Sequence, residues 1–237
     1  MYTSYAVLFG GPELCRPKTL ISLYKPSKLP ITVSLPCRSW PRRRTPRTLC
    51  SVSVSKPELR TGRPDDLVAS ILSKVAQTDG GVLLSKEQHK EVDDIAKELQ
   101  KYCVAEPVKC PLIFGEWDVV YCSRPTSPGG GYRSSLGRLV FRTKEMVQAV
   151  EAPDTVRNLV SFSAFAFLGG EVSLKGKLKS LDDSWIQVIF EPPQLKVGPL
   201  EFQYGKESEV QLQITYIDEK IRLGKGSKGS LFVFQRR

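Results

Sequence analysis

The segment Phe114–Ser123, FGEWDVVYCS, marks the point where the sequence changes from a helical to a strand pattern. Apolar residues alternate after its glycine, so Trp117, Val119 and Tyr121 are predicted to share one face of a first strand. A tryptophan here suits the mouth of a β-barrel, and it equally suits an ordinary protein core. The segments that follow decide between these two interpretations.

A period of two continues from Phe114 to the C-terminal end of the sequence. The clearest strand is EVSLKGKLK, in which Val172, Leu174, Gly176 and Leu178 face one way and Lys175, Lys177 and Lys179 the other. Similar patterns occur in KEMVQAVEA, around Leu139–Phe141, and in SWIQVIFE, EVQLQITYID (Val210, Leu212, Ile214 and Tyr216 on one face) and SLFVFQRR. Turn signals at SPGGG, LGG and GKGSKG separate these runs. About eight antiparallel strands predict a closed barrel, because closure removes exposed edges.

Two amphipathic helices are predicted before the strands. The first follows Asp65 or Asp66 as its cap and stops at Gly80-Gly81, and the second opens with a capping box formed by Ser85 and Gln88. We expect the pair to pack on the barrel as a lid or buttress. The predicted fold is therefore mainly β (α+β), an antiparallel β-barrel preceded by two helices. The LVSFSAFAFL segment, apolar on both faces, is then either covered by the helices, which we favour, or faces a membrane or a partner.

The positive charge lies almost entirely in the first quarter of the chain. Residues 1–60 hold 11 of the 35 lysines and arginines but only 2 of the 25 acidic residues, so the remainder is close to neutral. A nucleic-acid-binding domain should carry its excess charge on its own surface, and this pattern therefore argues against nucleic acid. The leader is rich in Ser, Pro and Arg and lacks a long apolar core, which predicts an organelle transit peptide over residues 1–50. A nuclear signal in PRRRTPR is the alternative.

The sequence offers little material for catalysis or metal binding. Cys103, Cys110 and Cys122 remain after the leader and have no CxxC spacing, so neither a zinc site nor a disulfide framework is expected. His89, the single histidine, is placed on the polar side of the second helix. Asp182-Asp183 are interpreted as turn residues and GKGSKG as a hairpin turn. We therefore predict no catalytic residues, no cofactor and no metal.

Several motifs resemble the plastid lipid-associated protein family, also called plastid fibrillins, in particular its small thylakoid and envelope members. They are FGEWDVVYCS, the VSFSAFAF segment, WIQVIFEPP and the ending TYIDEKIRLGKGSKGSLFVF. The resemblance covers residues 64–237, divided into a helix pair (64–104) and a barrel (112–237), with residues 51–63 as a linker. It implies a lipocalin-like barrel in a plastid protein, and it makes the leader over residues 1–50 a chloroplast transit peptide. Gly115, Trp117, Tyr216, Asp218 and Arg222 match its barrel-closure motifs.

The resemblance also implies a function in which hydrophobic metabolites, such as quinones, carotenoids or fatty acids, bind inside the barrel. Arg222 is expected to stack on Trp117 as a structural clasp, with Asp218 orienting the arginine. The ligand-lining candidates are Trp117, Val119, Tyr121, Leu174, Leu178, Val188, Leu212 and Ile214. The expected partners are a hydrophobic small molecule or lipid, the surface of a thylakoid, envelope or plastoglobule, and a plastid protein. A ligand-free scaffold of a plastid enzyme complex is the main alternative, and a lipid isomerase using Asp218 is a third.

Overall fold

The computed structural model describes residues 63–125 and 133–237. The predicted transit peptide, the linker up to residue 62 and the SPGGG loop at 127–131 lie outside the described residues. The helices are α1 (Pro64–Val75), α2 (Lys86–Gln100) and α3 (Gly137–Val140), and a 3₁₀ turn spans Pro111–Ile113. The strands are β1 (Gly115–Cys122), β2 (Phe141–Glu151), β3 (Thr155–Ala164), β4 (Leu168–Ser180), β5 (Trp185–Phe190), β6 (Gln194–Val197), β7 (Leu200–Gln203), β8 (Ser208–Ile217), β9 (Ile221–Gly226) and β10 (Leu231–Arg236).

Eight of these strands close into an antiparallel barrel, which confirms the predicted fold class. The order around the barrel is β1-β2-β3-β4-β5-β8-β9-β10, and β10 pairs back onto β1. Trp117 lies opposite Arg236 and Val119 opposite Phe234, so the first and last strands form the closing seam. The β6–β7 hairpin extends the sheet outside the barrel by pairing with the first half of β4.

The two N-terminal helices buttress one side of the barrel. Their apolar stripes, including Ile71 and Leu99, are fully buried against the outer faces of β8, β9, β10 and β1. The capping box of Ser85 and Gln88 is present as predicted. The cap predicted at Asp65 or Asp66 is wrong, because α1 starts at Pro64 and Arg63 is the N-cap residue. Both aspartates lie in the first turn, where their negative charges stabilise the positive end of the helix dipole.

Two β-bulges change the faces that simple alternation predicted. The register shifts between Val119 and Tyr121 in β1, and between Ile214 and Tyr216 in β8. Trp117, Val119 and Ile214 therefore face the barrel interior, whereas Tyr121 and Tyr216 turn outward beneath the helices. The predicted shared face of Trp117 and Tyr121 is wrong because a bulge inserts one residue and reverses the pattern after it.

Two other local expectations are corrected. Leu139 belongs to the short helix α3, so β2 begins only at Phe141. The LVSFSAFAFL segment is not covered by the helix pair, since the helices pack on the opposite side of the barrel. It forms β3 and then a turn in which Phe165 and Phe167 are exposed.

The buried tyrosines beneath the helices predict a loss of stability at alkaline pH. Burial raises the pKa of Tyr121 and Tyr216 above the usual 10, and for Tyr216 the bond that it donates to Asp218 adds to the effect. The folded chain therefore keeps two protons that the unfolded chain loses, so the free energy of unfolding should fall as the pH rises above 10. Urea unfolding from about pH 9 to about pH 11 measures this slope.

The matched variants are Tyr121→Phe/Tyr216→Phe and, as the control, Tyr102→Phe at a tyrosine that is 48% exposed. The double variant should flatten the alkaline slope, whereas the control should leave it unchanged. An equally steep slope in the double variant would contradict the assignment.

Candidate ligand-binding site

The barrel interior gathers most of the predicted ligand-lining residues. Six of the eight belong to one buried cluster, and Leu178 packs against it; the six are Trp117, Val119, Leu174, Val188, Leu212 and Ile214. Tyr121 is the exception, because it lies in the separate cluster beneath the helices. The alternating patterns of β4, β5 and β8 thus predicted the residues of the barrel interior correctly. In β1 the bulge turns Tyr121 away from this interior.

This interior is packed with side chains. The cavity inside it measures about 20 Å³ and is lined by apolar residues of β2–β5, β8 and β10, together with Gln148. Such a volume accommodates about one water molecule. A lipid-sized ligand would therefore have to displace side chains to enter this part of the barrel.

One end of the barrel is closed around Trp117. The Trp117 Nε1 donates a hydrogen bond to the Ile113 carbonyl in the 3₁₀ turn at 3.2 Å. The guanidinium carbons of Arg222 and Arg236 lie 4.9 Å and 4.1 Å from the centroid of its ring. Both distances are in the range of cation–π contacts. We call this the closed end.

Gly115 explains the Gly-x-Trp spacing that opens β1. Its φ of +123° lies in the region that favours glycine, and a Cβ there would approach the Arg236 Nη1 to 2.5 Å. The Arg236 side chain also donates hydrogen bonds to the carbonyls of Phe114 and Leu112. Gly115 therefore leaves room for the arginine that covers Trp117.

Arg222 is fully buried, and its guanidinium carbon lies 4.3 Å from the centroid of the Phe234 ring. It donates to the Gln148 Oε1, and Gln148 Nε2 in turn donates to the Asn158 Oδ1 at 3.0 Å. Burial, and then the neighbouring Arg236, lower the pKa of Arg222 to about 9. Among the described residues its contacts are aromatic rings and neutral amides, and no carboxylate. Burying a cation without a carboxylate is costly, so we expect its surroundings to be rigid.

The expected pair between Asp218 and Arg222 is not formed. Asp218 lies in the β8–β9 turn, where it accepts hydrogen bonds from the Tyr216 hydroxyl at 2.9 Å and from the backbone of Lys220 and Ile221 at 2.7 Å each. Arg222 points into the barrel, whereas Tyr216 lies beneath the helices. Asp218 thus fixes a turn and the helix-facing tyrosine.

The other end of the barrel opens into a sheet. Here β4 pairs with β6 over Gly170–Ser173 and with β5 only from Gly176 onward. The sheet therefore continues past the barrel, and we call this part the flared sheet. It consists of the first residues of β2 and β4, the last residues of β3, and the β6–β7 hairpin. Paired residues share a face, so the register places Phe141, Phe162, Val172, Leu195, Val197, Leu200 and Phe202 on the face that continues the barrel interior.

The apolar face of the flared sheet is only partly covered. Leu200 and Phe202 are 66% and 50% exposed, whereas Phe162, Val172 and Leu195 are half-buried. Gly170 makes room on this face, since a Cβ there would approach the Phe162 ring to 2.4 Å. The β6–β7 part of this surface was not predicted from the sequence. The alternation in QLKV and LEFQ around Gly198-Pro199 was the available signal for a hairpin.

His89 and Asp182 both make local contacts that stabilise the fold. His89 does not lie on the polar side of α2 as predicted: its Nδ1 is 2.6 Å from the Tyr121 hydroxyl at the helix–barrel interface. Asp182 is a turn residue as expected, and it accepts hydrogen bonds from the Ser184 and Trp185 amides at 2.7 Å.

Within residues 63–125 and 133–237 there is no group of three or more His, Cys, Asp or Glu side chains that could hold a metal ion. No helix in the same ranges has the length and apolar character needed to cross a membrane.

A closed eight-stranded antiparallel barrel with a tryptophan and arginines at one end is the architecture of the lipocalin-like β-barrel proteins. The PAP_fibrillin family profile matches residues 65–235, and the chain belongs to this family. It is 66% identical over 223 residues to probable plastid-lipid-associated protein 8, chloroplastic, of Arabidopsis thaliana, covering 93% of each chain. It is also 27% identical over 169 residues to probable plastid-lipid-associated protein 12, chloroplastic, of the same plant, covering 66% of this chain and 41% of the relative. No solved structure shows a significant match.

The comparisons confirm the family suggested by the sequence motifs. They also confirm the chloroplast location, since a relative matched over nearly its full length is a chloroplast protein.

The closed end generates a stability prediction. Trp117→Ala should lower the free energy of unfolding by about 3–5 kcal/mol, because it removes a fully buried ring and the contacts of two arginines. Trp117→Phe should cost less, although it leaves the Ile113 carbonyl with only the longer hydrogen bond from the Arg222 Nη1 at 3.5 Å. Urea unfolding measures both values, with Trp185→Phe as the control at a partly exposed tryptophan. A loss below about 1 kcal/mol for Trp117→Ala would contradict a structural clasp.

Proposed function

We propose that this chain is a plastid protein that works without catalysis, binds hydrophobic metabolites such as quinones, carotenoids or fatty acids, and attaches peripherally to a thylakoid, envelope or plastoglobule surface. Membership of a plastid lipid-associated family supports the general class. The observation that carries the proposal is the apolar face that runs without interruption from the barrel interior onto the flared sheet.

The flared sheet, and not the deep barrel, is the better place for such a ligand. The interior cavity of about 20 Å³ is too small for a lipid chain. On the flared sheet, Leu200 and Phe202 already expose apolar surface that a ligand would cover. Each methylene group removed from water would contribute about 0.8 kcal/mol, so several carbons lying on this face give useful affinity. The interior residues proposed from sequence then support the site from below, with Leu174 next to Val172 on the same strand face.

Native mass spectrometry of the protein isolated gently from chloroplasts, followed by lipid extraction, tests this function. We expect a stoichiometric apolar metabolite on the wild-type chain. Phe202→Asp should lower the bound fraction several-fold, because it places a charge on the ligand-facing side of β7. Ile189→Asp is the matched control: Ile189 is 46% exposed, close to the 50% of Phe202, but it lies on the outer face of β5. Equal retention of the metabolite by both variants would contradict the placement.

A ligand-free scaffold is a second candidate, and two observations favour it. The barrel interior is packed, and β7 ends the sheet with an exposed edge that another chain could extend. In this case the same measurement would give the bare chain mass and one stoichiometric protein partner without lipid.

A further inference from the structure

A group of large apolar side chains projects from the open end of the barrel. We call this group the rim. Leu136 lies just before α3 and Leu139 within it, Phe165 and Phe167 lie in the β3–β4 turn, and Leu168 begins β4. Four of them are strongly exposed: Leu136 78%, Leu139 79%, Phe165 62% and Phe167 85%. Soluble proteins rarely expose contiguous apolar surface of this kind without an interaction to cover it.

The two segments of the rim are held together by the backbone. The Phe165 amide donates to the Val140 carbonyl at 2.8 Å, which joins the β3–β4 turn to the end of α3. Phe141 and Phe162 stack edge to face just below, with their ring centroids 5.7 Å apart. The rim is therefore one surface at the end of the flared sheet, and its two segments do not vary independently.

The turn adopts a conformation that keeps its aromatic residues at the tip. Phe165 and Ala166 have φ values of +50° and +66°, in the left-handed region that non-glycine residues seldom occupy. A bulky residue in this region is an outlier that invites a functional explanation. A projecting turn and a one-turn helix suit insertion into a soft lipid surface better than packing against a flat protein face.

The charges around the rim favour an anionic surface. Residues 133–144 contain Arg133, Arg138, Arg142 and Lys144 and no acidic residue, and residues 159–170 contain no charged residue at all. Arg138 and Arg142 are exposed beside the apolar tip, whereas Arg133 is buried against the loop after α1. A basic collar around an apolar tip is the pattern by which peripheral proteins engage anionic lipid headgroups.

We propose that the rim inserts into the headgroup and upper acyl region of an anionic lipid membrane, with Arg138 and Arg142 on the headgroups. This inference rests on the peripheral attachment in the proposed function, and it adds an orientation: the open end faces the lipid. The apolar face of the flared sheet would then meet the membrane directly, so a metabolite could pass between them without crossing water.

Depth-dependent fluorescence quenching tests the orientation on the full chain. Phe167→Trp places a reporter at the tip, and Leu181→Trp places one in the β4–β5 turn, at the opposite end of the barrel on a residue that is 45% exposed. On vesicles of phosphatidylcholine and phosphatidylglycerol with brominated acyl chains, we expect strong extra quenching at position 167 and none at 181. Equal quenching at both positions, or quenching at 181 alone, would overturn the proposal.

Vesicle flotation supplies the second measurement. Leu139→Ser/Phe167→Ser should lower partitioning by at least about tenfold, because it removes apolar surface that would enter the lipid. Both side chains are 79% or more exposed, so these substitutions should leave the fold unchanged. Replacing Arg138 and Arg142 by Gln should cost about fivefold each on anionic vesicles and little on pure phosphatidylcholine. All variants carry the same basic N-terminal segment, so its contribution cancels in the comparison.

Lys175→Glu/Lys179→Glu is the matched control, because Lys175, Lys177 and Lys179 form a second cationic surface on the outer face of β4. Lys177 is left unchanged because it pairs with Asp154 at 2.8 Å. Loss of binding in this control but not in the rim variant would overturn the rim and leave peripheral attachment intact. A wild-type chain that floats with neither vesicle would overturn both the rim and the attachment. A wild-type chain that binds, with a rim variant that does not, supports the proposal.

Discussion

The pairing of β1 with β10 is the constraint on which the rest of the structure depends. It joins Trp117 and Arg236, which are far apart in sequence, so the barrel closes only when the strands between them that form its wall are all paired. The closing seam also brings Arg236 over the Trp117 ring, next to the buried Arg222. Closure of the barrel and packing of the closed end therefore involve the same residues, and a change at Trp117 acts on both.

The length of β4 determines the opposite end. Of its 13 residues, Leu168–Lys177 pair with β3, whereas β5, which has only 6 residues, pairs with Gly176–Ser180. The first half of β4 takes β6 as its partner, and Glu191-Pro192-Pro193 carries the chain across the break. Pro192 and Pro193 lack amide donors, so the strand cannot continue through them. One face thus passes from a closed, packed interior to an open, partly exposed sheet.

Particular residues show how far the sequence predicts this molecule. The alternation in EVSLKGKLK assigned the inner and outer faces of β4 correctly, because that strand has no bulge over this stretch. The same reasoning failed for Tyr121 and Tyr216, since a bulge depends on the pairing of two distant strands and leaves no local pattern. The β6–β7 part of the flared sheet was missed because Leu195 and Phe202 belong to strands of only 4 residues. Alternation over so few residues is a weak signal unless it is read together with the turn residues Gly198-Pro199.

The two ends of the barrel therefore differ: the closed end is suited to stability, and the open end is where the proposed function places binding. At the closed end, a buried guanidinium and a tryptophan need a rigid environment, because any relaxation would leave a charge without partners in an apolar core. At the open end, the exposed rings of the rim and the flared sheet have no such partners to lose, so this surface can change its contacts at low cost. The helices add their buttress along the β8–β1 side and leave the flared sheet uncovered. An apolar ligand or a lipid surface would thus meet the part of the molecule that can adapt to it, while the fold is held from the other end.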